Sequence, residues 1–355
     1  MAVKFTKPEI NVREKLAELD KPSGIAGEAM LRAETVAEQQ ALIGISGRRN
    51  FIMNGRGFID QRGKSGASLG AGEFSLDRWS SSTAGTTMTQ LSGGGFRGGR
   101  TSVAAWSRLS HRVEDCYNAI GTNELTISFD IKWNTHSGND NSMIYLRWLQ
   151  DNGTETGTPE ALDISKTGLS GKEKFTKTFT IPSDATNPKH LMILFYGSKG
   201  TSSTWDFELD NIQLELGKVA TPFEHRSYGE ELALCERYYQ KSYDKDAYIT
   251  GSTSLSGVGA VDHYGTSDAT NVLAQVYFRT QMRDAPTVTT FDHNTSNGGN
   301  AHSGRAYIIS NSGSASYNTT TNNIGTTSFR SYVPRNGAAW AAHRLIFQWQ
   351  ADAEL

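Results

Sequence analysis

Residues 205–239, WDFELDNIQLELGKVATPFEHRSYGEELALCERYY, begin as a β-strand and end as a helix. Trp205, Phe207 and Leu209 alternate with polar residues in one phase, while Ile212, Leu214 and Leu216 alternate in the other. The slip at Asp210–Asn211 predicts a β-bulge, because one extra residue sends every later side chain to the opposite face. Gly217 then breaks the pattern, Pro222 bars a continuing ladder, and a short helical pattern follows with Leu234 and Tyr238 four apart. Gly217, Pro222 and Phe223 therefore mark a seam between two domains. Glycine ends the last strand, Pro222–Phe223 lays the chain back with Phe223 buried, and the region of Glu230 starts the helix into the next domain.

Upstream of this stretch the chain keeps a period of two. LTISFDIKW puts Leu125, Ile127, Phe129, Ile131 and Trp133 on one face, and FTKTFTI does so with Phe175, Phe179 and Ile181. MIYLRWL and LMILFY are denser and suit strands buried on both faces. Strands at this spacing, with turn signals between them, predict an antiparallel sandwich over residues 49–226. Downstream, residues 227–355 read as a C-terminal β-domain. Strands are expected around NVLAQVYFRTQM, PTVTTF, RAYIIS, TSFRSYV and HRLIFQWQADAEL, with NTSNGGN and NSGSASYNTTTNNIGTT as exposed loops. Residues 1–48 change period again. Val12, Leu16 and Leu19 recur at helical spacing behind an Asn11–Glu14 capping pattern, and Met30, Ala33, Ala37 and Ala41 form a second stripe. The fold class is mainly β with an N-terminal helical arm.

Bulk properties narrow the function. The 355 residues are enough for two cores, and a net charge of −2 with both signs mixed leaves no basic footprint for nucleic acid. No apolar run approaches the roughly 20 residues of a membrane span, so no membrane insertion is expected. No secretory signal is expected at the N-terminus, and two cysteines, Cys116 and Cys235, suit synthesis in a reducing cytoplasm.

Convergent catalytic groups are not evident. SHRVEDCYN gathers His111, Glu114, Asp115 and Cys116, yet a strand would divide them between two faces. SGGGFRGGR lacks the lysine–hydroxyl pair of a phosphate loop and reads as a flexible turn. No HExxH pair, zinc-type cysteine spacing or nucleophile elbow is present. No catalytic residue is therefore assigned, and the chain is read as a non-enzyme. Binding is the stronger reading, given seven tryptophans and thirteen tyrosines in so polar a chain. Most of these rings belong in a core, but Trp79, Trp106, Trp148 and Trp205 are the candidates for stacking on sugar rings. No cofactor is required; calcium is the one candidate ion, through the oxygens of Asp210 and Asn211.

Several stretches together resemble the tail-fibre and other virion structural proteins of tailed bacteriophages. These are RRNFIMNGRGFIDQRG (48–63), FSLDRW (74–79) and the segment 210–240, with the opening KFTKPEINVREKLAELDKPSGIAGEAMLRAET similar to marine, cyanophage-like structural proteins. The endings RTQMRDAPTVTTF and FQWQADAEL are similar to the closing domain of the same group. The resemblance implies a galactose-binding-like jelly roll, akin to carbohydrate-binding modules, over 49–226. It implies attachment to other virion proteins through 1–48, a distal β-domain, a homotrimer, and a place on the phage tail or particle surface. Attachment to a bacterial surface glycan is the expected role. The rivals are a capsid decoration or tail-assembly protein without a receptor, and a surface-polysaccharide depolymerase.

Overall fold

Apolar–polar alternation buries one side of a strand and leaves the other wet, and most of the described chain consists of such strands. The computed structural model describes residues 49–100, 107–114, 124–135, 142–165, 167–198, 204–243, 259–261, 271–292, 303–310, 313–334 and 343–354. The arm expected over 1–48, Trp106 and Cys116 lie outside these residues.

The first body contains Ser68–Leu69 (β1), Trp79–Ser81 (β2), Thr86–Gln90 (β3), Phe96–Arg100 (β4), Ser107–Val113 (β5) and Glu124–Thr135 (β6). Met143–Leu149 (β7), Glu155–Asp163 (β8), Glu173–Thr180 (β9), His190–Ser198 (β10) and Trp205–Leu216 (β11) complete it. They pair antiparallel as two sheets, β1-β3-β4-β11-β6-β9 and β2-β5-β10-β7-β8. Between the sheets lies one core, with Ile127, Phe129 and Ile131 of β6 meeting Leu146 of β7 and Ile193 and Phe195 of β10. Phe129 and Phe195 close the gap edge to face at 5.3 Å. Each such side chain contributes roughly 1.5–3 kcal/mol when fully buried, so the interleaved faces hold the sheets together. β10 is buried on both faces as expected, its second face packing Met192, Leu194 and Tyr196 with Leu149. β7 is not. Its Tyr145 and Arg147 are only half-buried, and Arg147 turns outward to bind Glu155 of β8.

The expected bulge is present. The register between β11 and β6 shifts between Asp210 and Gln213, and Asn211 adopts φ +51°. Ile212 and Leu214 thereby return to the core after Leu209.

The second body opens with helix α1, Tyr228–Glu236, whose start is fixed by a capping box. The Ser227 hydroxyl accepts from the Glu230 N–H, and the Glu230 carboxylate accepts from the Ser227 N–H at 2.9 Å. Strands Tyr239–Lys241 (β12), Gly259–Val261 (β13), Asn271–Tyr277 (β14), Thr287–Phe291 (β15) and Arg305–Ser310 (β16) follow. Gly313–Asn318 (β17), Thr320–Asn322 (β18), Ser328–Pro334 (β19) and His343–Asp352 (β20) end the series. β20 is the organiser, pairing with β12, β13, β15 and β16, while β14, β19 and β18 form a separate three-stranded sheet. Phe278, Phe329 and Trp349 pack against one another at the centre of its core, with centroids 5.5–5.7 Å apart.

Three expectations are corrected. NSGSASYNTTTNNIGTT is not a loop; it supplies β17 and β18, whose backbones pair with β16 and β19. Small hydroxylated residues bury little, but their backbones still complete a ladder. In SGGGFRGGR only the first half is a turn, with Gly94 and Gly95 at φ +94° and +81°; the second half is β4. A Cβ on Gly98 would come within 2.6 Å of the Leu109 Cδ1 on the facing sheet, so this glycine sets the close approach of the two sheets there. Finally, Phe223 is half-buried and Pro222 exposed. The seam is held by polar groups instead. The Thr221 hydroxyl donates to Glu215 at 2.6 Å, and the Glu224 N–H donates to the Gln213 side chain at 2.9 Å. Gly217, at φ +92°, ends the strand as expected.

Candidate functional site

Of the four tryptophans named from sequence, the three among the described residues lie in the core. Trp79, Trp148 and Trp205 are 0%, 2% and 1% exposed. Trp79 packs among Phe96, His111 and Phe195, and its Nε1 donates to the Asn54 carbonyl at 3.0 Å. Trp205 stacks on Phe207 at 4.8 Å, with Gly197 beneath the indole. Trp79 and Trp148 fill the sandwich; Trp205 is as deeply buried but also borders the groove described below.

Asp210 and Asn211 build the bulge. The Asp210 carboxylate binds Arg56 Nε at 3.0 Å and Lys172 Nζ at 2.7 Å, and Asn211 Nδ2 donates to Asp130 at 2.7 Å. Burial alone would raise the Asp210 pKa; Lys172 and Arg56 outweigh it and hold the carboxyl below its ordinary value. Two cations already occupy the oxygens that calcium would need. Among the described residues no cluster of three or more His, Cys, Asp or Glu side chains is placed to hold a metal.

The seam carries a concavity of only about 50 Å³, lined by Phe58, Phe223, His225 and Tyr228 among others. Arg226 fills the surrounding space, donating to the Ile52 carbonyl at 3.1 Å between the carboxylates of Glu224 and Glu231, both at 3.3 Å. This space takes a water, not a sugar ring.

A larger groove, about 460 Å³, lies at the outward side of the six-stranded sheet; Thr87, Thr89, Arg97, Gly99, Thr135 and Asp206 contribute to its walls. It arises from the polar phase of the same strands whose apolar phase fills the core. Register sets Thr87 beside Gly99 and Gly99 beside Asp206, with Thr89, Arg97, Glu208 and Lys132 in the next row. The Arg97 Nε donates to both Asp206 oxygens at 2.7 and 2.8 Å. Asn134 Nδ2 bridges Asp206 and Glu208 at 3.1 and 3.0 Å, and Lys132 meets Glu208 at 3.2 Å. The hydrogen bond that Arg97 donates to Asp206 raises the Arg97 pKa. A Cβ on Gly99 would meet nothing closer than 3.6 Å, so the missing side chain opens the floor of the groove. Rigid strands thus hold donors and acceptors at fixed spacing, which suits a ligand rich in hydroxyls. The alternation was readable in sequence, but the order of strands that brings these residues together was not.

A second cluster joins the two bodies and is largely buried, with Asp352 at its open edge. Gln61 binds Asp77 through its N–H at 2.9 Å and its Nε2 at 2.6 Å, and the same Nε2 donates to the Tyr239 carbonyl at 2.9 Å. Arg62 lies over the Tyr239 ring at 3.9 Å and binds Asp352 at 3.0 Å and Glu354 at 3.4 Å. Arg78 lies over Tyr238 at 3.5 Å, pairs with Glu354 and donates to the Arg112 carbonyl at 2.6 Å. Tyr238 in turn donates its hydroxyl to Glu114. Arg78 holds φ +70°, an uncommon conformation for a residue with a Cβ, and these contacts keep it there. His111 sits beside the cluster with Nε2 against the Met53 carbonyl at 3.0 Å. It does not join Glu114 in a site, and Asp115 and Cys116 lie outside the described residues.

No protein-family model matches the sequence, and no curated protein matches it. Among solved structures the chain is similar to the enzymatically active domain of bacteriophage CBA120 tailspike protein 4. That match has 16% identity and TM-score 0.33, and it covers 47% of this chain and 21% of the tailspike. It is similar to the C-terminal family 22 carbohydrate-binding module of Clostridium thermocellum Xyn10B, at 17% identity and TM-score 0.30, over 47% of this chain and 98% of the module. A family 11 carbohydrate-binding module of Clostridium thermocellum matches at 17% identity and TM-score 0.28, over 45% of this chain and all of the module. The aligned part of the tailspike is about a fifth of its length. At these scores the matches carry no argument about function; the sandwich itself is established by the strand pairings.

Proposed function

We propose that this chain is a non-enzymatic, glycan-binding structural protein of a phage virion that contributes to host-surface attachment. The observation that carries the glycan reading is the groove across β3, β4, β11 and β6, whose Thr87, Thr89, Arg97, Thr135 and Asp206 offer donors and acceptors on a rigid floor, with Asn134 and Glu208 tied in beside Asp206. Each carboxylate there is already matched to a cation, Asp206 to Arg97 and Glu208 to Lys132. Such pairs suit acceptors for sugar hydroxyls, whereas glycoside hydrolysis needs one carboxyl kept protonated. The virion assignment rests on the resemblance of residues 48–63, 74–79 and 210–240 to phage structural proteins. Under it, residues 1–48 attach the chain to the particle, and a homotrimer multiplies weak contacts by avidity.

The test is binding of the fluorescently labelled protein to a panel of bacterial cells and their extracted polysaccharides, beside the double variant Arg97→Ala/Asp206→Ala. The expected result is saturable binding to particular strains that the variant weakens at least about tenfold, without loss of folding because the pair lies at the surface. A folded protein that binds no strain and no polysaccharide would turn the assignment to decoration or assembly.

A further inference from the structure

The three-stranded sheet of the second body has one face in its core and the other in solvent. Ala274, Phe329 and Val333 point inward. On the outward face, Gln275 of β14 stands opposite Arg330 of β19, and Arg330 stands opposite Asn322 of β18; Tyr332 stands opposite Thr320 in the next row. Tyr277, two residues beyond Gln275 and so on the same face, is 75% exposed. A phenol ring left so open gains nothing from the fold.

Among the described residues no hydrogen bond or ion pair engages the Arg330 guanidinium or the Tyr277 hydroxyl, and no acidic side chain stands in these rows. By contrast Arg97, Arg147 and Arg279, which are also partly exposed, each hold a carboxylate. Tyr277 is diagonal to Arg330, roughly 7–8 Å away across the strands, close enough for one saccharide unit to touch both. We propose that this face binds an acidic saccharide bearing a carboxylate. A sugar ring lies on Tyr277, its carboxylate is forked by Arg330, and the amides of Gln275 and Asn322 take neighbouring hydroxyls. A planar guanidinium matches a planar carboxylate with two parallel hydrogen bonds. Among the described residues the one free positive charge of this face balances a uronate, whereas a phosphate monoester carries up to about two negative charges. This site is separate from the groove in the first body and differs from it in ligand charge.

Affinity electrophoresis of the full chain decides the matter, with gels containing a polyuronate, the same polymer after carboxyl reduction, or a neutral polysaccharide polymer bearing phosphate monoesters. The expected result is retardation by the polyuronate alone, weakened at least about tenfold in Arg330→Gln, the worth of one charge-assisted hydrogen bond, and weakened less, by about threefold or more, in Tyr277→Ala, which removes the stacking ring. Both side chains are exposed, so both variants keep the fold. The Arg97→Ala/Asp206→Ala protein retains polyuronate binding, whether or not its groove binds a glycan. The proposal is overturned if the polyuronate does not retard the parent, or if the reduced or phosphate polymer retards it equally. Unchanged retardation of the Arg330 and Tyr277 variants, or loss of uronate binding only in the groove variant, overturns it as well.

Discussion

Asp77 is 1% exposed, and burial pushes its carboxyl up to about 6 against the opposing pull of Arg62 and Gln61. Nearby, His111 is 1% exposed, and burial, with Arg78 adding to it, pushes its pKa down to about 3. The two therefore bend stability with pH in opposite senses. For Asp77 the folded state binds the proton more tightly than the unfolded chain. Its contribution is complete below the unfolded value of 3.8 and is lost as pH rises through 6. For His111 the folded state resists the proton, so its contribution is complete above 6.5 and is lost as pH falls toward 3. Between about pH 4 and 6 the slopes oppose each other, each at most about 1.4 kcal/mol per pH unit. In Asp77→Asn, stability should fall on acidification across that window; in His111→Gln it should rise. Urea midpoints measured at several pH values in both variants check this, and parallel curves would show that neither group titrates as assigned.

Among the elements, β10 and β11 belong to different sheets and meet where Gly197 lies under Trp205. A Cβ on Gly197 would fall inside the indole, a rigid group that cannot swing away. Gly197→Ala should cost about 3 kcal/mol, at the upper end of overpacking, visible as a lower denaturation midpoint with the same slope. At α1, Ser227→Ala should cost about 1 kcal/mol in the same assay, by leaving the Glu230 N–H unmatched. These elements were largely legible. The alternation in β6 and β11, the phase slip at Asp210, and the helix start at Glu230 all follow from local side-chain chemistry. Three things were not legible. β17 and β18 carry almost no apolar residues, so pairing with neighbours, and not burial, makes them strands. Trp79, Trp148 and Trp205 could have been core or ligand-facing, and only the opposing sheet decides that. The groove depends on β4 lying between β3 and β11, a long-range order that no local pattern records.

At the scale of the whole molecule, the two bodies are joined by buried charge as well as by chain. Arg78 and Glu354 have side chains 1% and 5% exposed, and Arg62 is 8% exposed beside Glu354 and Asp352. Glu354→Ala leaves Arg78 without its carboxylate in a closed space. It should cost about 3–5 kcal/mol, more than the loss of an exposed pair such as Arg97–Asp206. A variant that melts with the parent would show that the joint carries no such load. The residues that meet here come from GFIDQRG, FSLDRW, ERYYQ and QADAEL, stretches that look unrelated when read along the chain.

That arrangement also has a consequence in time. Arg62 and Asp352 are 290 residues apart, and Arg78 and Glu354 are 276 apart. At translation rates of about 5–20 residues per second, the arginines wait roughly 15 to 60 seconds for their carboxylates to leave the ribosome. Through that interval the first body displays Arg78 without its carboxylate, Arg62 with Asp77 alone, and the bare faces that Tyr238 and Tyr239 will cover. Finishing the chain is therefore a folding event in its own right. A nascent product stalled before Asp352 carries a surface that the finished molecule never shows, and a protease or chaperone can tell the two apart.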